Sequence, residues 1–139
     1  MDYTLNKMID LRHPWLLGFR CSICSNGLLY FTPKVQEFMK KYRNFIHISI
    51  SIDGNKELHD KCRLDLQGNG TYDRAIKASR HIRENYDRKV TTKMTLSPEN
   101  INYLYDAVIS LIKEGYIIIH LNCIFEKGWE YSHAKILYN

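Results

Sequence analysis

The sequence predicts an α/β fold in which parallel βα units form part of a barrel. Strand-like stretches alternate with helix-like stretches along the whole chain, which is typical of parallel βα units. Each strand-like stretch also has one apolar and one polar face, whereas strands covered by helices on both sides are usually apolar throughout. A barrel accounts for both observations, because its helices cover the apolar faces from outside while the polar faces surround a central pocket.

The clearest strand lies at residues 46–53, where side chains alternate without interruption. Isoleucines at 46, 48, 50 and 52 form one face, and polar residues at 47, 49, 51 and 53 form the other. Gly54 then ends the strand in a turn. Taken alone, this strand has two interpretations: its polar face is either in contact with water or lines a ligand cavity.

Hydrophobic periodicity, helix caps and turn residues predict the remaining elements. They are a helix over 2–12, a strand over 17–25 closed by Asn26-Gly27, a helix opened by Thr32-Pro33, a polar loop over 55–70, a helix capped by Thr71, a strand over 89–96, a helix opened by Ser97-Pro98 and ended by Gly115, a strand over 116–123, and one or two helical turns before residue 139.

All four predicted strands repeat the polar face seen at 46–53. Its members are Ser22, Cys24, Asn26, His47, Ser49, Ser51, Asp53, Thr91, Lys93, Thr95, His120 and Asn122. Burying each of these groups without a partner would cost about 1–3 kcal/mol, so a shared wet or ligand-filled pocket is favoured over burial under helices. The strand ends would gather at the carboxyl edge of the sheet, where barrels of this type place their sites.

Composition limits the function classes. The chain has 139 residues, 45% hydrophobic and 25% charged, which is typical of one soluble domain. It has no apolar run of about 18 residues, so we expect no membrane span. The net charge of +5 favours an anionic ligand, but the basic residues are interspersed with acidic ones, so we expect no nucleic-acid partner. Four cysteines without disulfide-framework spacing predict a reduced, cytoplasmic protein.

Several motifs, in order, carry a resemblance to a known family. They are Ser25-Asn26-Gly27-Leu28-Leu29, Ser49-Ile50-Ser51-Ile52-Asp53-Gly54, His59-Asp60-Lys61-Cys62-Arg63 and Gly68-Asn69-Gly70-Thr71-Tyr72-Asp73. Together they resemble radical S-adenosylmethionine (SAM) enzymes of the sulfatase- and peptide-maturating branch, which often carry a C-terminal SPASM-type cluster domain. The stretches at 93–101 and 122–129 are similar to others in peptide maturases, so the resemblance extends over roughly residues 16–137.

The resemblance implies that residues 1–139 form the C-terminal two-thirds of a (β/α)6 partial TIM barrel, with about four strands present. Residues 1–16 would hold the helix of a preceding βα unit. The family's Cys-x-x-x-Cys-x-x-Cys loop, which binds a [4Fe–4S] cluster, is absent, as is the GGEP stretch. Cys21 and Cys24 point to opposite faces of a strand, so we expect no metal site on this chain. An open barrel edge would leave the chain marginally stable alone, which favours a missing N-terminal segment or a partner chain.

The resemblance also implies roles for individual residues. Ser51 would bind the methionyl carboxylate of SAM, with Arg63 as its charged partner. Asp53 and Asn26 would contact the ribose hydroxyls and the amino acid moiety, and Lys93 would face the pocket beside them. Two further residues, Asn122 and Glu126, would lie nearer to a peptide or protein substrate.

Two functions are compatible with the sequence. In the first, the chain is a fragment of an enzyme that cleaves SAM reductively and modifies a peptide, and it is inactive alone without the cluster ligands. In the second, the chain is a non-catalytic βα module that binds SAM or a small anion, or a degenerate remnant.

Overall fold

The computed structural model describes residues 1–11, 18, 20–86 and 91–138. Helices alternate with the strands of a single four-stranded sheet, whose strands are all parallel and follow the order β1-β2-β3-β4. The elements are α1 (Asp2–Asp10), β1 (Cys21–Ser25), α2 (Pro33–Tyr42), β2 (Ile46–Ser51), α3 (Lys56–Cys62), α4 (Tyr72–Asn85), β3 (Thr91–Leu96), α5 (Leu104–Lys113), β4 (Ile119–Cys123) and α6 (Tyr131–Tyr138). The predicted α/β class is confirmed, and the architecture is consistent with part of a partial TIM barrel.

The register of the sheet aligns the polar residues of neighbouring strands. Ser49 of β2 lies between Cys24 of β1 and Thr91 of β3, and Ser51 lies beside Lys93. Lys93 in turn lies beside His120 of β4. Because side chains alternate along every strand, this register places the polar side chains together on one face of the sheet.

The hydrophobic core lies on the opposite face. The β2 isoleucines are between 0% and 8% exposed, and they belong to one buried cluster with side chains from helices α1, α2, α4 and α5. The helical members of this cluster are Leu5, Met39, Tyr42, Ala75, Ile76, Ala78, Ile82, Ala107 and Leu111. Thr92 also points to this face and is fully buried, and its hydroxyl donates to the Ile50 carbonyl at 2.8 Å. A polar group is therefore accepted in the core because its hydrogen bond is satisfied.

The prediction of a polar loop over 55–70 is wrong for its first half. Residues Lys56–Cys62 form helix α3, and Asn55 caps it, with its side chain accepting from the Leu58 amide at 2.9 Å. The helix is only seven residues long and mostly polar, so its apolar periodicity is too weak to be recognised.

Other boundaries also differ from the predictions. The helix expected at Ser97-Pro98 begins later, because Asn100 closes a turn by accepting from the Ser97 amide at 2.8 Å. A 3₁₀ turn at Ile101–Tyr103 then leads into α5. The last strand begins at Ile119 rather than at Tyr116. The predicted strand residues 17, 19, 89 and 90, and the end of the first predicted helix at 12, lie outside the described residues.

Gly54 lies three residues beyond the end of β2 and lets the chain turn sharply beneath α5. Its φ of +111° is in a region that favours glycine, and a Cβ there would lie 2.6 Å from the Cβ of Ala107. Close approach of α5 thus requires glycine at this position.

Among the described helices, none is long and apolar enough to cross a lipid bilayer.

Candidate functional site

The polar face of the sheet forms the floor of an open concavity with a volume of about 340 Å³. All four strands contribute to it. Its lining residues are Ser22, Ile23, Cys24, His47, Ser49, Thr91, Lys93, His120 and Asn122. The residues of the two central strands are buried or half-buried, whereas those of the two outer strands are mostly exposed. In the described part of the chain, the polar faces therefore share an open concavity rather than an enclosed channel.

Hydrogen bonds join the central strands across this surface. The Ser49 hydroxyl donates to the Thr91 carbonyl at 3.1 Å, and His47 Nε2 lies 3.2 Å from the Thr91 hydroxyl. Cys24 Sγ lies 3.3 Å from Ser51 Oγ. These contacts set the directions of the side chains on the floor of the concavity.

Lys93 and Asn122 are paired on the same surface. With its oxygen directed at the lysine, the Asn122 amide accepts from Lys93 Nζ at 2.9 Å and donates to the Leu121 carbonyl at 3.2 Å. An ammonium group has three donors, so Lys93 can bind Asn122 and a ligand oxygen at the same time.

Arg63 and Asp53 form a two-pronged ion pair at the carboxyl end of β2. Arg63 Nε donates to Asp53 Oδ2 at 2.5 Å and Nη2 donates to Oδ1 at 3.1 Å. The backbone amide of Thr95 also donates to Asp53 Oδ1 at 2.8 Å, and the Thr95 hydroxyl accepts from Arg63 Nη2 at 3.1 Å. Asp53 is only 4% exposed, so its carboxylate serves to hold the more accessible guanidinium in place. The Nη1 group of Arg63 takes part in none of these bonds.

The buried His59 side chain is hydrogen-bonded to the segments that carry the ion pair. The Asp53 amide donates to His59 Nδ1 at 3.2 Å, and His59 Nε2 lies 3.0 Å from the Thr71 hydroxyl. That hydroxyl donates to the Arg63 carbonyl at 2.8 Å. Burial of the ring lowers the pKa of His59 below its usual value, so the imidazole is neutral at pH 7.

The charges near the carboxyl edge leave an excess of positive charge. Arg63 is neutralised by Asp53, whereas Lys93 faces a neutral amide. A half-buried, positively charged surface with hydroxyl and amide donors is suited to bind an anionic group such as a carboxylate.

Two of the predicted site residues lie at the margin. Asn26 is exposed, and its Oδ1 accepts from the Leu28 amide at 3.1 Å, so it shapes the turn after β1. Glu126 is exposed in the turn after β4. The structure thus groups Ser51 with Lys93 and Asn122, joins Asp53 to Arg63, and places Asn26 and Glu126 at loop ends. The ligand contacts predicted for these seven residues remain predictions.

The four cysteines all belong to the described residues. Cys21 and Cys24 lie on opposite faces of β1, Cys62 is exposed on α3, and Cys123 is half-buried in β4. Within the described residues, no three His, Cys, Asp or Glu side chains are grouped so that they could hold a metal ion. The cysteines as placed do not fit a [4Fe–4S] cluster, which needs several converging thiolates.

The sequence does not predict the roles of His59, Thr71 and Thr95 as supports of the ion pair. Its alternation places Thr95 on the polar face, but it predicts Thr71 as a helix cap, and the Thr71 side chain makes no capping bond. No local pattern in the sequence identifies His59, because it reaches Arg63 only through Thr71, which lies twelve residues further along the chain.

Comparison with known proteins gives a result for structure but not for sequence. No protein-family model matches the chain. No curated protein sequence matches it either.

Among solved structures, the chain is similar to "Native anSMEcpe with bound AdoMet", with a TM-score of 0.64 and 16% identity over 82% of this chain and 31% of that one. It is also similar to "Native anSMEcpe with bound AdoMet and Cp18Cys peptide", with a TM-score of 0.67 and 15% identity over 94% of this chain and 37% of that one. These neighbours are structures of an anaerobic sulfatase-maturating enzyme, a radical SAM enzyme. The chain spans about a third of their length, and what it shares with them, at this identity, is the fold.

Proposed function

We propose that the polar face of the sheet binds SAM and that this chain supplies the SAM-binding part of a radical SAM enzyme acting on a peptide or protein. The proposal is supported by one observation above all: Ser51, Lys93 and the Asp53–Arg63 pair lie together at the carboxyl end of the two central strands. Solved structures with a similar fold contain bound AdoMet.

The proposed binding mode follows from charge and donor geometry. The carboxylate of the methionyl group would be bound by the Ser51 hydroxyl and by the outer edge of the Arg63 guanidinium. Asp53 would act chiefly by holding Arg63, since both of its oxygens already accept hydrogen bonds. Asn26 would offer its amide to the ribose hydroxyls, and Lys93 would add positive charge at the centre of the face.

A peptide would then bind at the β4 side of the concavity. Asn122, near the end of β4, and Glu126, in the turn after it, are both exposed there. Two of the neighbouring structures contain peptides, named Kp18Cys and Cp18Cys. Residues 1–139 would form one partial-barrel domain in this arrangement, with α1 as the helix of a preceding βα unit.

When bound, a [4Fe–4S] cluster supplies the electron that cleaves SAM reductively. The described residues provide no ligand set for it, so the cluster would have to be held by other polypeptide. This chain would bind and orient SAM beside that cluster, and the non-catalytic hypothesis would share the same SAM-binding step.

Titration of SAM into the protein by calorimetry tests the proposal. We expect saturable heat of binding, and about tenfold weaker binding for Ser51→Ala, which loses a hydrogen bond to a charged group. Ser132→Ala is the matched control, because Ser132 is exposed on α6, far along the chain from the sheet face. Folded protein that produces no heat with SAM would refute SAM binding.

A second experiment tests whether this chain itself can hold the cluster. Under anaerobic conditions the protein is incubated with iron and sulfide and its visible spectrum is recorded. We expect no iron–sulfur absorption from this chain alone, because its thiols do not converge. A bound cluster that resists desalting would show that the cysteines rearrange into a ligand set, and would contradict the division of roles proposed above.

A further inference from the structure

His59 lies at the junction of two segments that carry the ion pair. It is 1% exposed, and its two ring nitrogens contact the Asp53 amide and the Thr71 hydroxyl. Thr71 continues the chain of bonds to the Arg63 carbonyl. Both partners of the ion pair are therefore joined twice, once through their side chains and once through His59 and Thr71.

The directions of these hydrogen bonds follow from the number of available protons. Thr71 has a single hydroxyl proton, which it donates to the Arg63 carbonyl, so His59 Nε2 must be the donor to Thr71. The Asp53 amide can only donate, so His59 Nδ1 must be the acceptor. The ring is thereby fixed as the neutral tautomer with its proton on Nε2.

Resting on the proposed function, we infer that His59 is a positioning residue for the SAM carboxylate. Acting through Thr71, it sets where the Arg63 guanidinium stands relative to Ser51. A shift of the Arg63 backbone would misalign the guanidinium with the ligand carboxylate, because Nε and Nη2 are held by Asp53 and Thr95 and only Nη1 is left to be directed at the ligand.

The surroundings of His59 make its neutral form necessary. The charged groups that influence the ring are Asp53 in the turn after β2, Asp60 on its own helix, and Arg63 at the end of that helix. The ring of Tyr72, the first residue of α4, packs against it at 5.7 Å between centroids. A proton on Nδ1 would point at the Asp53 amide and break the first bond of the chain.

Two measurements test this inference together: calorimetry with SAM, and hydrogen exchange of backbone and arginine N–H groups, followed by NMR without ligand. In His59→Gln we expect about tenfold weaker SAM binding. In the ligand-free protein we also expect faster exchange of the Asp53 amide and of the Arg63 Nε–H. His59→Asn should be partly restored, because its amide oxygen can take the place of Nδ1. The matched control is His81→Gln, since His81 is a half-buried histidine whose hydrogen-bond partner, Tyr30, lies outside the site.

A double-mutant cycle gives a second readout. If His59 acts through Thr71, the combined His59→Gln and Thr71→Val variant should lose no more affinity than either single variant. Thr71→Val also keeps the test possible if His59→Gln fails to fold, because the Arg63 Nε–H should then exchange faster with His59 intact.

The two hypotheses fail in different ways. Unchanged exchange at Asp53 and Arg63 in the folded variants would overturn the positioning role, whether or not SAM binds. Additive losses in the cycle would also overturn it. If exchange changes as expected but the unaltered protein binds no SAM, His59 still positions Arg63, while the SAM site and any role of His59 in SAM binding are refuted.

Discussion

The ammonium of Lys93 and the amide oxygen of Asn122 lie 2.9 Å apart across the neighbouring strands β3 and β4. This pair links the half-buried centre of the polar face to its exposed margin. A lysine that faces an amide rather than a carboxylate keeps its full charge available to a ligand. The pair therefore makes Lys93 a candidate for ligand binding more than for fold stability.

We predict that Lys93→Met weakens binding of SAM about tenfold, because the site loses a charged donor, while the free energy of unfolding changes little. Calorimetry and urea denaturation measure the two quantities. Lys113→Met, at the exposed end of α5, is the control and should change neither. A variant that loses stability but retains affinity would assign Lys93 to the fold.

Arg63→Lys should both destabilise the protein and weaken SAM binding. Lysine cannot reproduce the two-pronged contact with Asp53 or the bond to Thr95, and Asp53 is buried. We expect a loss of about 1–3 kcal/mol in urea denaturation. Arg74→Lys is the matched control, because the Arg74 side chain is 47% exposed against 27% for Arg63, and water screens its pair with Asp65, so we expect a smaller loss of stability. Equal losses in the two variants would contradict a special role for the Asp53–Arg63 pair.

Gly54→Ala should destabilise the fold more than Gly68→Ala. Both glycines have positive φ, +111° and +82°, so alanine strains the backbone at each, by about 1–2 kcal/mol. Only at residue 54 does the added methyl also meet the backbone and side chain of Ala107, at 2.9 Å and 2.6 Å. Overpacking of this kind costs about 1–3 kcal/mol more. Similar midpoints of denaturation for both variants would show that α5 moves away at no cost.

Stability should fall on acidification in a way that depends on His59. Burial lowers its pKa in the folded state below the ordinary value of 6.5, so the unfolded chain binds the extra proton first. The contribution of His59 is therefore complete above pH 6.5 and is lost as the pH falls through 6.5 towards the lowered pKa. Urea denaturation at several pH values should show a shallower dependence of the free energy of unfolding on pH for His59→Gln than for the unaltered protein.

The alternation of isoleucine with polar residues at 46–53 was enough to predict the central strand and its two faces. It succeeded because burial of one face of a strand is imposed at every second residue. The same rule predicted that Lys93 and Asn122 share a face with Ser51. It missed α3, whose seven residues are held by the Asn55 cap and tertiary contacts rather than by an apolar stripe.

The ion-pair network was beyond sequence reasoning for a different reason. Thr71 follows His59 by twelve residues and Thr95 follows Arg63 by thirty-two, so their proximity is produced by the crossover connections of the sheet. The sequence predicts a ligand carboxylate as the partner of Arg63, whereas the structure pairs Arg63 with Asp53. The partner of a charged side chain is decided by tertiary geometry that local patterns do not contain.

Spatial order in the sheet repeats chain order, from β1 to β4. Each strand therefore finds its neighbour already synthesised when it leaves the ribosome, and no strand has to be inserted between two that have paired. Such a sheet can grow vectorially, one βα unit at a time, during translation.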